Sequence, residues 1–327
     1  MDLSIIIVNF RTFTITVNCI KSIIANLRYL KYEIILVDNA PIEDFSTAFK
    51  EVSPNLTYIK SLENIGFGRA NNLGMTYATG RYILLINSDT LVFDDSLLKC
   101  YQAMEADTTK KIGLLGCKLL NEDKSFQPSF YPFRKNTLFN HLITNNWLLS
   151  KIFGVNRLFQ ETNVIMEVGD VSGAFMLLRK IVIDKVGGFD PDFFLYCEES
   201  EWCRERIAKY FKIIYFPMAA IIHLGGKSAP QGPMNVQAKL SQALLWYKKG
   251  WFNYMLYIVV TYLSMLVHIS LLVFIKKSSK NIILADIKTS LKIFPYLFTD
   301  VIKYKKTWGN RKKPLIYEGA KAIFFDQ

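Results

Sequence analysis

The sequence predicts an α/β fold with a doubly wound, mostly parallel sheet, and three observations favour it. Short apolar runs rich in Ile, Leu and Val recur through the first 90 residues. Segments with helical spacing separate these runs, as in strand–helix–strand units. The strand at residues 82–86 stops abruptly in polar residues, at the place where ligands of open α/β sheets bind. The chain of 327 residues is long enough for about two domains.

The first two predicted strands cover residues 3–8 and 33–37, with a helix at about 14–27 between them. The first apolar run is too short for a signal peptide and is typical of a buried strand. Asp38 follows the second strand, where a carboxylate can bind a ribose hydroxyl or a base edge. An ordinary Asx-turn at Asp38 is the alternative. A short third strand is predicted at residues 58–59.

A glycine-containing stretch at residues 64–74 leads into a predicted helix at 70–79. Gly66 and Gly68 allow the backbone to approach a ligand closely, and the helix N-terminus offers amides to a phosphate. The stretch lacks the Gly-Lys-Ser/Thr end of a Walker A loop, and it opens a later helix than a Rossmann fingerprint does.

The predicted strand at residues 82–86 ends in Asn87-Ser88-Asp89. A carboxylate at this position can anchor Mg²⁺, which takes one or two protein carboxylates and fills its shell with water and phosphates. Asp89 would then hold a metal-diphosphate, with Asn87 as a neutral second contact. The alternative is a turn in which Asp89 caps the next helix.

Four stretches of the chain, residues 4–10, 37–39, 64–74 and 87–89, resemble glycosyltransferase family 2, the inverting enzymes of the GT-A fold. The last stretch resembles the family's Asp-x-Asp metal motif but begins with Asn, as in the branch of bacterial rhamnosyltransferases. The resemblance implies a nucleotide-sugar donor and Mg²⁺ or Mn²⁺ at Asp89. The donor-binding positions that it implies are Val8, Phe10, Asp38, Gly66, Gly68, Asn72 and Asn87.

The region that follows is less regular. Residues 126–133 contain four aromatics and two prolines and are predicted to form an irregular surface loop. Residues 136–159 can be drawn as an amphipathic helix, which either packs on the sheet or faces a membrane or an acceptor. Gly173 precedes a buried strand and corresponds to the family's acceptor-side segment.

Three acids, Glu198, Glu199 and Glu201, fall within four residues beside an aromatic run. Their mutual repulsion and partial burial would raise at least one carboxyl pKa, and such a carboxylate can accept a proton from an attacking hydroxyl. The alternative is a solvated helix start that the helix dipole favours. The resemblance implies that Glu199 is the catalytic base, with Glu where the family has Asp, and that Glu198 and Trp202 lie on the acceptor side.

A further predicted strand at residues 213–217 contains Pro217, which suggests an edge strand. His223 ends the next apolar run and is followed by two glycines. It matches the family's His-x-x-Gly segment, where the His contacts the metal or the diphosphate, although a lone His is more often a core or turn residue. Lys227 is near enough in sequence to offer a charge to phosphate.

The C-terminal region differs in charge from the rest. Residues 227–327 contain 16 basic and 4 acidic residues, so they carry the whole net charge of +12. Residues 251–275 have no charged side chain and are long enough to cross a bilayer. Lysines flank this run on both sides, so three arrangements in the membrane remain as alternatives: a single span, a hairpin and an in-plane helix. Residues 282–304 form an amphipathic candidate and 303–313 a basic cluster suited to anionic lipid heads. Packing of both helices on the catalytic domain or on a second subunit is the alternative.

These predictions give a GT-A catalytic domain at residues 1–235, with a nucleotide-sugar half at about 1–120 and an acceptor half at about 121–235. Residues 236–327 form a basic, helical, membrane-associated tail. The resemblance to the rhamnosyltransferase branch implies rhamnose transfer from dTDP-rhamnose to a lipid-linked saccharide. The expected place is an anionic membrane surface, on the cytoplasmic face of the bacterial inner membrane, and homo-oligomer formation is left open. UDP-hexose or UDP-galactofuranose donors, or a non-catalytic nucleotide-sugar scaffold, are the alternatives. Nucleic acid is disfavoured by the long apolar run, and five cysteines without metal spacing favour reduced cytosolic thiols.

Overall fold

The computed structural model describes residues 1–27, 29–132, 137–145, 147–155, 159–225, 231–271, 277–303 and 314–316. The chain forms two units that interleave in sequence. The first, the sheet unit, comprises Met1–Lys135, Leu158–Asp190 and Glu198–Ser228. The second, the helical unit, comprises Asn136–Arg157, Pro191–Cys197 and Ala229–Gln327. The sequence predicted one boundary near residue 235, whereas the helical unit also takes two segments from inside the predicted catalytic domain.

The described strands all belong to the sheet unit. They are β1 (Leu3–Asn9), β2 (Tyr32–Asn39), β3 (Thr57–Ser61), β4 (Tyr82–Asn87), β5 (Thr90–Val92), β6 (Ile112–Leu120), β7 (Phe126–Gln127), β8 (Phe130–Tyr131), β9 (Met166–Glu167), β10 (Asp170–Val171), β11 (Phe175–Arg179) and β12 (Lys212–His223).

The described α-helices occur in both units. They are α1 (Phe13–Asn26), α2 (Ser46–Val52), α3 (Phe67–Met75), α4 (Ser96–Ala106), α5 (Leu138–Asn145), α6 (Trp147–Ile152), α7 (Lys180–Val186), α8 (Glu198–Glu201), α9 (Gln231–Lys248), α10 (Trp251–Leu271), α11 (Lys277–Phe298) and α12 (Asp300–Lys303). A π-helical turn, Trp202–Arg206, and a 3-10 turn, Ile207–Lys209, follow α8 directly.

The main sheet has the strand order β3-β2-β1-β4-β11-β6-β12-β5. The first four strands are parallel, which confirms the doubly wound arrangement predicted for the first 90 residues. The sheet is nevertheless mixed, because β11 runs antiparallel between β4 and β6, and β5 runs antiparallel beside β12. Alternate residues of β1 enter different cores, with Ile5 and Ile7 on one face and Ile6 on the other. A strand covered on both faces explains the continuous apolar run in the sequence.

Two predictions about local structure were wrong. The segment from Phe126 is not an irregular loop, because β7 pairs with β6 and β8 pairs with β10. Phe130 is buried there and packs on Tyr215, with the ring centroids 4.3 Å apart. Pro217 does not mark an edge strand, since β12 lies between β6 and β5. A register shift between Phe216 and Ala220 accommodates the proline as a bulge.

The helical unit is built around α9, α10 and α11. Tyr254 and Tyr262 of α10 donate hydrogen bonds to the carbonyls of Leu297 and Ser290 of α11, at 2.7 and 2.8 Å. Residues later in α10 thus meet residues earlier in α11, so the two helices are antiparallel. Buried Asp192 pairs with Lys248 at 2.7 Å and ties the 191–197 segment to the end of α9.

The predicted amphipathic helix at 136–159 is divided into α5 and α6, and it belongs to the helical unit rather than to the sheet. Of the predicted features in the tail, Lys227 and Lys276 lie outside the described residues, as does the basic cluster beyond residue 303.

Candidate active site

Strand pairing brings three of the predicted site residues together at one end of the sheet. Asn87 is the last residue of β4, and Asp89 lies between β4 and β5. The register pairs His223 of β12 with Thr90 of β5, so the imidazole lies next to Asp89. His223 Nε2 is 3.3 Å from Asp89 Oδ1. Asp89 does not cap the next helix, because β5 intervenes before α4 begins at Ser96.

A glutamine that the sequence analysis missed orients His223. The Nδ1–H group of His223 donates to Gln127 Oε1 at 2.8 Å, which leaves the Nε2 lone pair for other partners. Nε2 lies 3.4 Å from Asn87 Nδ2 and 3.3 Å from Asp89 Oδ1. Since a hydrogen bond at one ring nitrogen fixes the tautomer at the other, Gln127 is a positioning residue. We call Asn87, Asp89, Gln127 and His223 the phosphate-side cluster.

The phosphate-side cluster has the character of a cation site. Asp89 Oδ1 and His223 Nε2 are both electron-pair donors, and Asn87 Oδ1 is buried with no hydrogen-bond partner among the described residues. An orphaned buried oxygen is costly unless something else satisfies it. Within the described ranges, no group of three or more His, Cys, Asp and Glu side chains could hold a metal. These donors fit a Mg²⁺ or Mn²⁺ that completes its shell with water and donor phosphates.

The predicted nucleoside ligand Asp38 is buried at the end of β2. One carboxylate oxygen accepts from Asn9 Nδ2 at 2.7 Å and the other from the Tyr58 hydroxyl at 2.6 Å. Burial raises the pKa of Asp38, and the hydrogen bonds from Tyr58 and Asn9 oppose that rise. Both oxygens of Asp38 thus accept a hydrogen bond within the sheet unit, and the predicted donor contact stays a prediction.

The end of β1 lies between Asp38 of β2 and Asn87 of β4 in the sheet. The turn before α3 is hydrogen-bonded to Asn39, the residue after Asp38. Val8 pairs with Asn87 of β4, and Phe10 follows directly after β1. Gly66 has φ of +87°, a conformation that side chains disfavour, and its N–H donates to Asn64 Oδ1 at 3.0 Å. The requirement for glycine at 66 is therefore the turn itself.

Two predicted donor-binding residues, Gly68 and Asn72, have structural contacts with the segment around Phe189. A Cβ at Gly68 would lie 3.1 Å from the Phe189 Cβ, so this glycine permits close helix packing rather than close approach to a phosphate. Asn72 forms two hydrogen bonds of 2.8 Å with the backbone of Phe189, one as donor and one as acceptor. Both residues therefore hold the segment around Phe189, and their predicted donor contacts stay predictions.

The predicted acid cluster forms α8, and its two first carboxylates differ in exposure. Glu198 is buried, and its Oε2 has no hydrogen-bond partner among the described residues. Glu199 is partly exposed. Burial raises the pKa of both groups, and the charge of Glu199 adds to the effect at Glu198. The pKa of Glu199 rises to about 7, mainly because of desolvation.

Two residues next to Glu199 were missed by the sequence analysis. Asp170 of β10 forms a buried ion pair with Arg204 and accepts from the Ser200 hydroxyl at 2.7 Å. The Arg204 guanidinium lies 3.8 Å from the centroid of the Tyr131 ring. The charge of Asp170 raises the pKa of Glu199, while that of Arg204 lowers it. No local pattern signals this pairing, because the β8–β10 sheet and the π-helical turn create it. We call Asp170, Glu198, Glu199 and Arg204 the base-side cluster.

The two remaining acceptor-side predictions, Trp202 and Gly173, have different outcomes. Trp202 is fully buried, donates from Nε1 to the Gly187 carbonyl at 2.9 Å and packs on Phe189, so its predicted acceptor contact was wrong. Gly173 precedes β11, and a Cβ there would meet only the Phe67 ring, at 3.5 Å. The acceptor contact predicted for Gly173 stays a prediction.

Comparison with known sequences gives a family and several relatives. The model of the family described as "Glycosyl transferase family 2" matches residues 4–187. The rhamnosyltransferase WbbL of Escherichia coli K12 is 26% identical over 250 residues, which are 72% of this chain and 87% of that protein. The O-antigen biosynthesis protein RfbC of Myxococcus xanthus is 24% identical over 62% of this chain and 16% of its own length. The hexosyltransferase Agl10 of Haloferax volcanii is 24% identical, with 62% and 60% covered.

Solved structures of transferases share the fold at low identity. The mannosyltransferase PcManGT of Pyrobaculum calidifontis, in complex with GDP-Man and Mn²⁺, has a TM-score of 0.54 and 13% identity, with 93% of this chain and 83% of that chain covered. GalNAc-T7 with UDP, GalNAc and Mn²⁺ has a TM-score of 0.53 and 14% identity, with 75% and 48% covered. These likenesses confirm the GT-A fold that the sequence predicts.

Proposed function

The chain belongs to glycosyl transferase family 2, and we propose that it is an inverting, metal-dependent enzyme that transfers a sugar from a nucleotide sugar to a saccharide. The observation that carries the proposal is the pair of carboxylate clusters in the sheet unit. One cluster has converging donors for a cation, and the other has a reachable carboxylate whose pKa is about 7. An inverting transferase needs one group of each kind.

The phosphate-side cluster binds the donor diphosphate. Asp89 and His223 would hold Mg²⁺ or Mn²⁺, with Asn87 as a neutral ligand. When bound, the cation acts as a Lewis acid that neutralises the charge of the departing diphosphate. Gln127 Oε1 accepts a hydrogen bond from the Nδ1–H group of His223, and this bond keeps the Nε2 lone pair available for the cation.

Glu199 is the general base of the proposed reaction. It removes the proton of an acceptor hydroxyl while that oxygen forms a bond to the anomeric carbon of the donor sugar. The bond from this carbon to the diphosphate oxygen breaks, and the bonding electron pair leaves with the diphosphate. Attack from the opposite face inverts the anomeric configuration. A base with a pKa near the working pH combines ionisation with proton affinity.

The donor that we propose first is dTDP-rhamnose, and the acceptor is a lipid-linked saccharide in surface glycan assembly. Support comes from the similarity to a rhamnosyltransferase over most of both chains and to a protein of O-antigen biosynthesis. Similarity to a hexosyltransferase keeps UDP-hexose as the second candidate, with UDP-galactofuranose beside it. A lipid-linked acceptor places the enzyme at the cytoplasmic face of the bacterial inner membrane, with or without self-association.

A donor panel tests the proposal. The full chain is heated with dTDP-rhamnose, UDP-glucose or UDP-galactofuranose, with Mn²⁺ or with chelator. A bound donor at 100 times its Kd stabilises the fold by about 2.7 kcal/mol, so the true donor should raise Tm only with the metal. Sugar transfer to membrane extracts is then measured with that donor. Stabilisation without any turnover would support the nucleotide-sugar scaffold instead, and no response to any donor would contradict both.

A further inference from the structure

The outer face of the α10–α11 hairpin exposes a continuous apolar surface. On α10, exposed large side chains recur every three or four residues, namely Phe252, Leu256, Val259, Leu263 and Leu266. On α11, the exposed apolar side chains are Leu284, Leu291, Phe294 and Phe298. Tyr262 of α10 packs on Phe294 of α11, with the ring centroids 5.2 Å apart, so the exposed stripe of α11 adjoins α10. We call these nine exposed side chains the apolar face.

The opposite side of the hairpin is already covered. Tyr254, Tyr257 and Ile258 of α10 are buried in a core with Leu244 and Trp246 of α9. Further along, Met265 of α10 packs with Ile283 and Ile287 of α11. Each helix therefore has one satisfied face and one that no part of the described helical unit covers. Exposed apolar patches of this kind mark interaction sites.

The charge distribution favours a lipid bilayer as the partner. The exposed Lys288 and Lys292 lie on α11 among Leu284, Leu291 and Phe294. A lysine beside apolar side chains can bury its stem while its ammonium reaches the lipid headgroups. Anionic lipids attract such residues, and the last 101 residues hold all of the net positive charge. Protein–protein interfaces, by contrast, are depleted in lysine.

The same charges argue against a hairpin that spans the bilayer. Only α10 among the described helices is long and apolar enough to cross, with mean hydropathy 1.5 over Trp251–Ser270. Its neighbours are polar: Lys239 of α9 pairs with Asp286 of α11 at 2.6 Å and donates to Ser290 at 2.7 Å. If the hairpin spanned, this pair and the exposed Lys288 and Lys292 would enter hydrocarbon, where charged side chains are costly.

We propose that the apolar face binds an anionic bilayer with α10 and α11 lying in the plane of the membrane, buried only to the depth of the headgroup and acyl boundary. This arrangement is typical of amphipathic interfacial helices. It leaves the Lys239–Asp286 pair on the protein side and places Lys288 and Lys292 at headgroup level. The proposal sharpens the membrane association proposed above, and its test needs no sugar transfer.

Vesicle flotation with the purified full chain tests the surface. The probes are vesicles of phosphatidylcholine alone and of phosphatidylcholine with phosphatidylglycerol. The variant Leu263→Glu/Leu266→Glu should lose about a hundredfold in binding, since each buried Leu contributes about tenfold or more. Its matched control, Leu62→Glu/Ile181→Glu, changes exposed apolar residues of the sheet unit and should bind normally. Unchanged Tm in both variants shows that they fold.

The lysines are tested in the same assay. Lys288→Glu/Lys292→Glu should weaken binding to anionic vesicles by about thirtyfold or more, because each lysine near such a surface contributes about fivefold. Binding to phosphatidylcholine alone should change little. The control Lys21→Glu/Lys99→Glu alters exposed lysines of α1 and α4 with the same charge change. Equal losses in both pairs would show a net-charge effect and overturn the assignment of the surface.

Depth is tested with Ser278→Cys near the start of α11. In intact bacterial spheroplasts, an impermeant maleimide should label this variant no more than the parent chain, and labelling should appear after lysis. Labelling from outside would show a spanning hairpin and overturn the in-plane arrangement. The apolar face would instead be assigned to a second copy of the chain if the parent chain binds no vesicles but forms a dimer, and if Leu263→Glu/Leu266→Glu dissociates that dimer. Either failure leaves the transferase proposal intact, because the donor panel measures the Tm of the full chain with nucleotide sugars in solution and needs no membrane.

Discussion

The phosphate-side and base-side clusters both contain carboxylates, yet their surroundings differ in kind. Asp89 has an amide and an imidazole as neighbours, and no Lys or Arg side chain is paired with it among the described residues. Glu199 lies beside two other acids, Glu198 and Asp170, and beside one cation, Arg204. The first arrangement attracts an added cation, and the second retains a proton at higher pH than usual. Neighbours, rather than residue type, assign the two roles.

The largest expected effect concerns Asp89. Asp89→Ala removes the protein's carboxylate from the phosphate-side cluster, and the loss of several kcal/mol of charge stabilisation corresponds to about a thousandfold or more in kcat. Stabilisation by donor with Mn²⁺ in thermal unfolding should disappear as well. Glu43→Ala, an exposed acid elsewhere in the sheet unit, serves as the control. An unchanged transfer rate in Asp89→Ala, together with no effect of chelator on that rate, would contradict the assignment of the cluster to a metal.

The second prediction separates the two adjacent glutamates. Glu199→Gln keeps the shape and removes the base, so kcat should fall by about 10²–10⁴-fold while donor stabilisation persists. Glu198→Gln should retain most of the rate, because Glu198 is buried and out of reach of an acceptor. Single-turnover transfer with saturating donor measures both. The reverse result would make Glu198 the base and would require α8 to rearrange when the acceptor binds.

The third prediction concerns Gln127, which the sequence analysis missed. Gln127→Ala removes the acceptor of the His223 Nδ1–H group, so the imidazole can change tautomer or rotate. Loss of such an orienting partner typically costs about 10–100-fold in metal affinity. The activity should therefore need more Mn²⁺, with kcat at saturating Mn²⁺ close to that of the parent chain. Gln127→Glu retains an acceptor at this position and should restore the affinity. An unchanged Mn²⁺ requirement in Gln127→Ala would remove His223 from the metal site.

The sequence predicted the parts of this comparison that depend on strand ends. Asn87, Asp89 and His223 were found because each lies at or next to the end of an apolar run, and adjacent strands bring such ends together. Gln127, Asp170 and Arg204 were missed because the short strands β7, β8 and β10 position or surround them. Two-residue strands leave no periodic signal in a sequence.

Residues on helices were the main source of error. Gly68, Asn72 and Trp202 were assigned to ligands from their positions in recognisable stretches, yet each contacts the segment around Phe189. Spacing along a helix identifies residues that share a face but does not say which neighbour that face meets. The predicted domain division missed two segments for a similar reason, because residues 136–157 and 191–197 join the helical unit through long-range packing.

The smallest expected effect is a shift in pH dependence, which tests the electrostatic half of the comparison. Because the pKa of Glu199 is about 7, transfer should rise by about tenfold per pH unit below that value and level off above it. The contribution of Glu199 to folding stability depends on pH in the opposite direction, since it decreases as the pH rises. Folding raises this pKa from 4.5, so the folded chain binds more protons than the unfolded chain between these values. The stability that Glu199 contributes is therefore complete below pH 4.5 and is lost as the pH rises through 7.

Asp170→Asn changes one contribution to that pKa and leaves Glu199 in place. The negative charge of Asp170 raises the pKa of Glu199, and Arg204 opposes it. Removing the carboxylate while the guanidinium stays should move the rising limb of the pH–rate profile to lower pH. The shift should be a fraction of a unit, because desolvation is the larger cause and persists in the variant. Breaking the ion pair also costs stability, so a lower Tm would follow from a structural role alone, whereas the direction of the pH shift would not. A limb that stays in place or moves to higher pH would show that Asp170 only supports the fold around α8.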